Sequence, residues 1–100
     1  MKGTLIRYKV KPEAADENQQ LIEKVFTELH AKSPDGVRYM VLRLPDGTFQ
    51  HFVLGDRDPR TAITGSEAFR SFQEGIKERV LDPPQQSDVT VVGDYRMLRE

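Results

Sequence analysis

One hundred residues with 15 basic and 16 acidic side chains, a net charge of −1 and no cysteine imply one domain, spanning residues 1–100. They exclude disulfides, thiolate metal sites and a thiol nucleophile. The charges are interspersed, so no basic block is offered to nucleic acid or to an anionic membrane. No run approaches the roughly 20 apolar residues of a membrane span, and no leader pattern follows Met1, so a cytoplasmic protein is expected.

Thr4 to Val10 alternates: Thr4, Ile6, Tyr8 and Val10 point one way, and Leu5, Arg7 and Lys9 the other. That is the period of a strand. Pro12 ends it and leads into Glu13, Asp16 and Glu17, acids suited to the positive end of a helix. Leu21, Ile22, Val25 and Leu29 follow at helical spacing, with Phe26 beside them, and Ser33-Pro34-Asp35-Gly36 stops the helix. Val37 to Leu44 reads as a second strand, with Val37, Tyr39, Val41 and Arg43 on one face and Arg38, Met40, Leu42 and Leu44 on the other. Pro45-Asp46-Gly47 is a hairpin signal. Thr48 to Leu54 then returns, with Phe49, His51 and Val53 alternating against Gln50, Phe52 and Leu54.

Gly55 to Gly65, with Asp56, Arg57, Asp58 and Arg60, is irregular: a solvated loop or a lid over a pocket. Ser66 is suited to cap the next helix, whose stripe is Phe69, Phe72, Ile76 and Val80. Gly75 inside this helix either weakens it by about 1 kcal/mol or permits a close approach to the sheet or to a ligand. Asp82-Pro83-Pro84 is expected to end the helix, and Val89 to Tyr95 to form the last strand.

Strand, helix, strand, strand, helix, strand suits an α+β fold: a ferredoxin-like βαββαβ sandwich with an antiparallel four-stranded sheet in the order four-one-three-two and both helices on one face. The other face carries Met40, Leu42 and Leu44 if Tyr39 faces the helices, and Val37, Tyr39 and Val41 if it does not. Either choice leaves an apolar group outside a single domain's core. A homodimer packed through the sheet face, a dimeric α/β barrel, is therefore expected. The first strand runs into Lys11-Pro12-Glu13 and not into a Gly-rich phosphate loop, which excludes an acylphosphatase. The Lys/Arg-Gly-aromatic signature of an RNA recognition motif is absent around Gly47-Thr48-Phe49.

Three stretches carry a family resemblance: Arg7-Tyr8-Lys9-Val10-Lys11-Pro12, Gly36-Val37-Arg38-Tyr39-Met40-Val41-Leu42-Arg43 and Ala68-Phe69-Arg70-Ser71-Phe72. Together they resemble the dimeric α/β-barrel superfamily, in particular the antibiotic biosynthesis monooxygenase-like proteins. The resemblance implies a dimeric barrel and admits cofactor-free oxygenases, isomerases and haem-degrading members. The chain has no Trp, which members that oxidise polycyclic phenols often use. Glu67 to Leu81 contains no His, so haem degradation is not expected, and no cofactor is called for.

His51 is the leading candidate group, because its ordinary pKa near ~6.5 suits proton transfer. The competing reading is a histidine satisfied by a hydrogen bond in the sheet or at the dimer interface. Tyr8, Tyr39 and Tyr95 lie on three expected strands and could share a cavity. Arg43, on the face of Tyr39, could hold a phenolate or carboxylate, or pair with a surface acid such as Asp46. Tyr39 and Arg43 are tied by period; whether His51 joins them depends on hairpin register, which a bulge at Gly47 would shift. The expectation is that His51, Tyr39 and Arg43 converge as catalytic groups, with Tyr8, Phe69 and Phe72 contacting a small aromatic ligand and no metal site. Two functions stay open: a cofactor-free monooxygenase on a small aromatic or quinol-like substrate, or a non-catalytic ligand-binding or structural homodimer.

Overall fold

Residues 2–34, 36–54 and 67–98 are described by the computed structural model. The irregular stretch from Gly55 to Gly65 and the cap expected at Ser66 lie outside the described residues. The elements are β1 (Lys2–Val10), a 3-10 turn (Pro12–Ala14), α1 (Ala15–Lys32), β2 (Arg38–Arg43), β3 (Thr48–Leu54), α2 (Glu67–Glu74), α3 (Ile76–Arg79) and β4 (Val80–Thr90). The sheet order is β2-β3-β1-β4, and each neighbouring pair is antiparallel. This is the expected ferredoxin-like arrangement.

Local chemistry sets the element ends. Lys11, held extended (φ −60°, ψ 143°) as a residue before proline must be, ends β1 and lets Pro12 open the turn into α1. At the other end of α1, Ser33 adopts a left-handed conformation (φ 46°), and its N–H donates to the Leu29 carbonyl at 2.7 Å. In the β2–β3 hairpin, Leu44 N–H donates to Thr48 O at 2.8 Å, and Gly47 takes φ +89°, which its lack of a side chain permits. A Cβ there would lie 3.2 Å from the Val10 carbonyl oxygen, so the tip of the hairpin also needs glycine to close on β1. The Asp46 carboxylate accepts the Thr48 N–H at 2.9 Å. Hydrogen bonding by Thr48, through its side chain first and this N–H second, holds the Asp46 pKa below the usual carboxylate range. α2 takes its cap from α1: Glu28 accepts the N–H groups of Glu67 (3.3 Å) and Ala68 (3.1 Å) while pairing with Lys32 at 3.0 Å.

The hairpin register sets Tyr39 opposite Val53, Val41 opposite His51 and Arg43 opposite Phe49, in unbroken pairing. Tyr39 and Val41 therefore face the helices with Phe49, His51 and Val53. The buried cluster on that side is Tyr8, Val10, Ala15, Ile22, Val25, Phe49 and Phe72. On the opposite face Met40, Phe52 and Leu5 stand in one cross-strand row. All three are only half-buried.

Two expectations are corrected at the C-terminal end. The last strand is Val80–Thr90, not Val89–Tyr95, and Pro83 and Pro84 lie inside it. Proline is tolerated because β4 is an edge strand, bonded to β1 alone. The register pairs Lys9 with Asp82 and Arg7 with Gln85, so both prolines oppose Tyr8 alone, in a bulge that asks them for no ladder N–H. Residues 91–98 lie beyond the strand, and Tyr95 is 82% exposed, so it shares no cavity with Tyr8 and Tyr39.

The helix expected over 67–81 breaks at Gly75 (φ −100°, ψ 3°). The close approach is to a side chain of the helix's own segment, neither the sheet nor a ligand: a Cβ on Gly75 would lie 2.6 Å from Arg79 Nη1. Alanine in an exposed helix gains about 1 kcal/mol over glycine, but here it would push a guanidinium held at Nε and Nη2 by buried bonds. Overpacking of that kind costs about 1–3 kcal/mol. Gly75→Ala is therefore expected to lower stability by about 1 kcal/mol net, which urea unfolding would register as a lower midpoint at unchanged slope.

Candidate functional site

A line of polar side chains crosses the space between sheet and helices. Arg79 Nε donates to Asn18 Oδ1 at 3.0 Å, and Asn18 Nδ2 donates to the Tyr8 hydroxyl at 3.0 Å. The Tyr8 hydroxyl bonds His51 Nε2 at 2.8 Å, and His51 Nδ1 bonds the Tyr39 hydroxyl at 2.6 Å. Each member follows from its element. Tyr8 and His51 are on adjacent strands, where Tyr8 pairs with Phe49 and Ile6 with His51, so the two rings are diagonal neighbours on one face. Tyr39 and His51 stand in the same diagonal relation across β2 and β3.

The chain is dry. His51, Asn18, Tyr8 and Arg79 are all buried. Among the described residues no buried side-chain nitrogen or oxygen lacks a partner. Burial pushes the His51 pKa down to about 4, so the ring is neutral at ordinary pH. Burial raises the pKa of both phenols, above the opposing effects of Asn18 and Arg79 at Tyr8, and with the neighbouring Tyr8 adding to it at Tyr39. Aromatic rings enclose the imidazole: Tyr8 at 5.3 Å, Phe72 at 5.6 Å and Tyr39 at 5.8 Å between centroids. Arg79 bonds the Phe72 carbonyl at 2.6 Å and lies 5.4 Å above the Phe72 ring. Among the described residues no carboxylate pairs with it.

The structure thus brings His51 and Tyr39 together, with Tyr8 as a third member, and places Arg43 elsewhere. Residues 39 and 43 share a face but are about 13 Å apart along the strand at ~3.3 Å per residue. Arg43 binds Asp16 at 3.0 Å and Gln19 at 2.6 Å; its acid partner is Asp16, not Asp46. Both nitrogens of His51 are taken by tyrosines, so any ligand meets this chain at Tyr39, which is half-buried. Phe72 is buried in the core and Phe69 packs against it.

Arg43 instead stands at the rim of a cleft of about 300 Å³ between α1 and β2, floored by Ile22, Phe26, Val41 and Phe49. That volume is at the small end of ligand sites. Phe26 also packs on Tyr39, with centroids 4.9 Å apart, so one ring joins the cleft to the polar chain. Among the described residues no cluster of His, Asp or Glu could hold a metal, and no helix is long and apolar enough to cross a membrane.

Asn18 and Arg79 are absent from the sequence expectations. Their signal was periodic: Asn18 precedes Ile22 and Val25 by four and seven residues, and Arg79 follows Phe72 by seven. Each is a polar residue on an apolar helical stripe.

The sheet order, with both long helices on one face, defines a ferredoxin-like α+β protein. The chain is similar to a candidate antibiotic biosynthesis monooxygenase from Nitrosomonas europaea, with a TM-score of 0.77, 11% identity and coverage of 93% of this chain and 100% of that one. It is similar to another from Caulobacter crescentus, with a TM-score of 0.73, 17% identity and coverage of 92% and 90%. A second Nitrosomonas europaea protein, of unknown function, matches with a TM-score of 0.72, 16% identity and coverage of 94% and 91%. At these identities the likeness is one of fold. No protein-family model and no curated protein matches the chain.

Proposed function

We propose that this protein is a cytoplasmic, cofactor-independent monooxygenase acting on a small aromatic or quinol-like substrate, and that it works as a homodimer. The carrying observation is the buried Tyr8–His51–Tyr39 chain. An apolar trio would pack the same space without the desolvation that three polar groups incur. The fold neighbours named as candidate monooxygenases support the reading at the level of fold.

The substrate ring lies against Phe26 in the α1–β2 cleft, with Arg43 at the rim for an acidic substituent. Phe26 turns aside so that the substrate's anionic oxygen meets the Tyr39 hydroxyl. A substrate anion of this kind reduces dioxygen itself: the hydroxyl gives up its proton and the oxidised ring carbon its hydrogen, one oxygen atom becomes the new ring carbonyl, and the other leaves with those two hydrogens as water. Tyr39, backed by His51, supplies a preorganised donor to the oxyanion. His51 acts through Tyr39 and does not touch the substrate. The Met40–Phe52–Leu5 row supplies the dimer contact, since a half-covered apolar face of this kind marks an interface.

The test is oxygen uptake with a panel of quinols and enolisable acids. Wild-type protein should consume oxygen above the substrate's own autoxidation, and Tyr39→Phe should lose on the order of a hundredfold in kcat. No uptake across the panel would leave the second reading, a non-catalytic ligand-binding homodimer. That reading is favoured by the Phe72 and Tyr8 rings already packed around His51.

A further inference from the structure

We propose that Arg79 and Asn18 are positioning residues that set the tautomer of His51 and thereby make the Tyr39 hydroxyl a hydrogen-bond donor toward whatever it meets. The inference deepens the oxyanion role given above to Tyr39 and rests on that reading only for its catalytic meaning.

The argument is one of donor and acceptor counting along the chain. A guanidinium N–H only donates, so the Asn18 atom 3.0 Å from Arg79 Nε is its carbonyl oxygen. The amide nitrogen of Asn18 is thereby turned to Tyr8 and donates to the phenol oxygen. The Tyr8 hydroxyl has one proton and needs an acceptor for it in a dry place. Among the described residues that acceptor is His51 Nε2. Were Nε2 protonated, Tyr8 would accept from both neighbours and its own proton would be buried without a partner, which folded proteins avoid.

His51 is neutral, so its single ring proton sits on Nδ1 and is donated to the Tyr39 oxygen. Tyr39 then keeps its own proton, and among the described residues its hydroxyl bonds only His51. Its proton is then offered outward, to an acceptor such as a phenolate, an enolate or a peroxide oxygen. A charge on α3 thus fixes the direction of a bond at β2, through Asn18 on α1 and two strands. The chain can pass a proton toward a ligand and cannot take one without first reversing every bond.

The experiment is the two-bond 1H–15N spectrum of the His51 ring in the intact protein at pH 7.5, for wild type and Asn18→Asp. Wild type should show a protonated Nδ1 and an unprotonated Nε2. In the variant, the carboxylate introduced at position 18 still accepts from Arg79, and it also accepts from Tyr8. The Tyr8 proton then turns away from His51, and the ring should convert to the Nε2–H form.

A wild-type ring protonated at Nε2 overturns the proposal, and so does a folded Asn18→Asp protein that keeps Nδ1–H. Should Asn18→Asp not fold, the wild-type spectrum decides on its own. The result is independent of turnover: Nδ1–H in a protein without oxygen uptake sinks the monooxygenase reading and keeps this one, whereas Nε2–H in an active protein does the reverse.

Discussion

Acidification from pH 8 to pH 4 is expected to remove about 3 kcal/mol of folding stability through His51 alone, measured as urea unfolding at one protein concentration. The His51 pKa is lowered to about 4 in the folded chain from an ordinary 6.5, by burial. Between those values the unfolded chain binds a proton that the native ring does not. The slope of unfolding free energy against pH is positive wherever the unfolded state binds more protons. The contribution is thus fully present above pH 6.5, falls as pH drops through the window, and is gone at and below about 4. His51→Gln keeps a donor and an acceptor for the two tyrosines but does not titrate, so its stability should run flat from pH 6.5 to about 5. Carboxylates such as Asp46 contribute at lower pH in both proteins and cancel in the comparison. Parallel curves for wild type and His51→Gln would show that the ring is not buried neutral, and the buried Tyr8–His51 pair would be refuted with it.

Two phenylalanines three residues apart should give opposite results. Phe49 is 1% exposed, stacks on Tyr8 at 5.8 Å between centroids and helps floor the α1–β2 cleft. Phe49→Ala is expected to cost about 3–5 kcal/mol, the range for emptying a packed aromatic site. Phe52 lies on the other face between Met40 and Leu5. Phe52→Glu should leave the protomer folded but weaken the dimer by about a hundredfold or more, as loss of a central interface anchor does. Denaturant melts give the first result and sedimentation velocity over a concentration series the second. An unfolded Phe52→Glu protein would mean that the row belongs to the protomer's own core. A wild-type protein that sediments as a monomer throughout would remove the dimer from the proposed function.

Periodicity determined most of the fold from residues alone. A strand alternates with period two and a helix with 3.6, so spacing alone puts Tyr8, Phe49 and His51 on strand faces and Ile22, Val25 and Phe72 on helix stripes. Pro12 and Gly47 act through their own backbone dihedrals, so both element ends were legible. Pro83 and Pro84 are ambiguous in sequence, because a proline pair stops a helix and is also tolerated at a bulge of an edge strand. Only the sheet order makes β4 an edge.

The site divided the same way. That Tyr39 and Arg43 share a face is a property of one strand. That Tyr39 joins His51 is a property of the hairpin register. That Arg43 does not join them follows from distance along the strand and from Asp16 and Gln19 on a helix far away in sequence. Asn18 and Arg79, 61 residues apart, meet only because α1 and the 67–79 segment cover one face of one sheet. The residue types and their spacing determined which groups could be buried. Only the tertiary structure decided which of them hydrogen-bond, because a buried donor takes the acceptor that packing brings to it, at any separation in sequence.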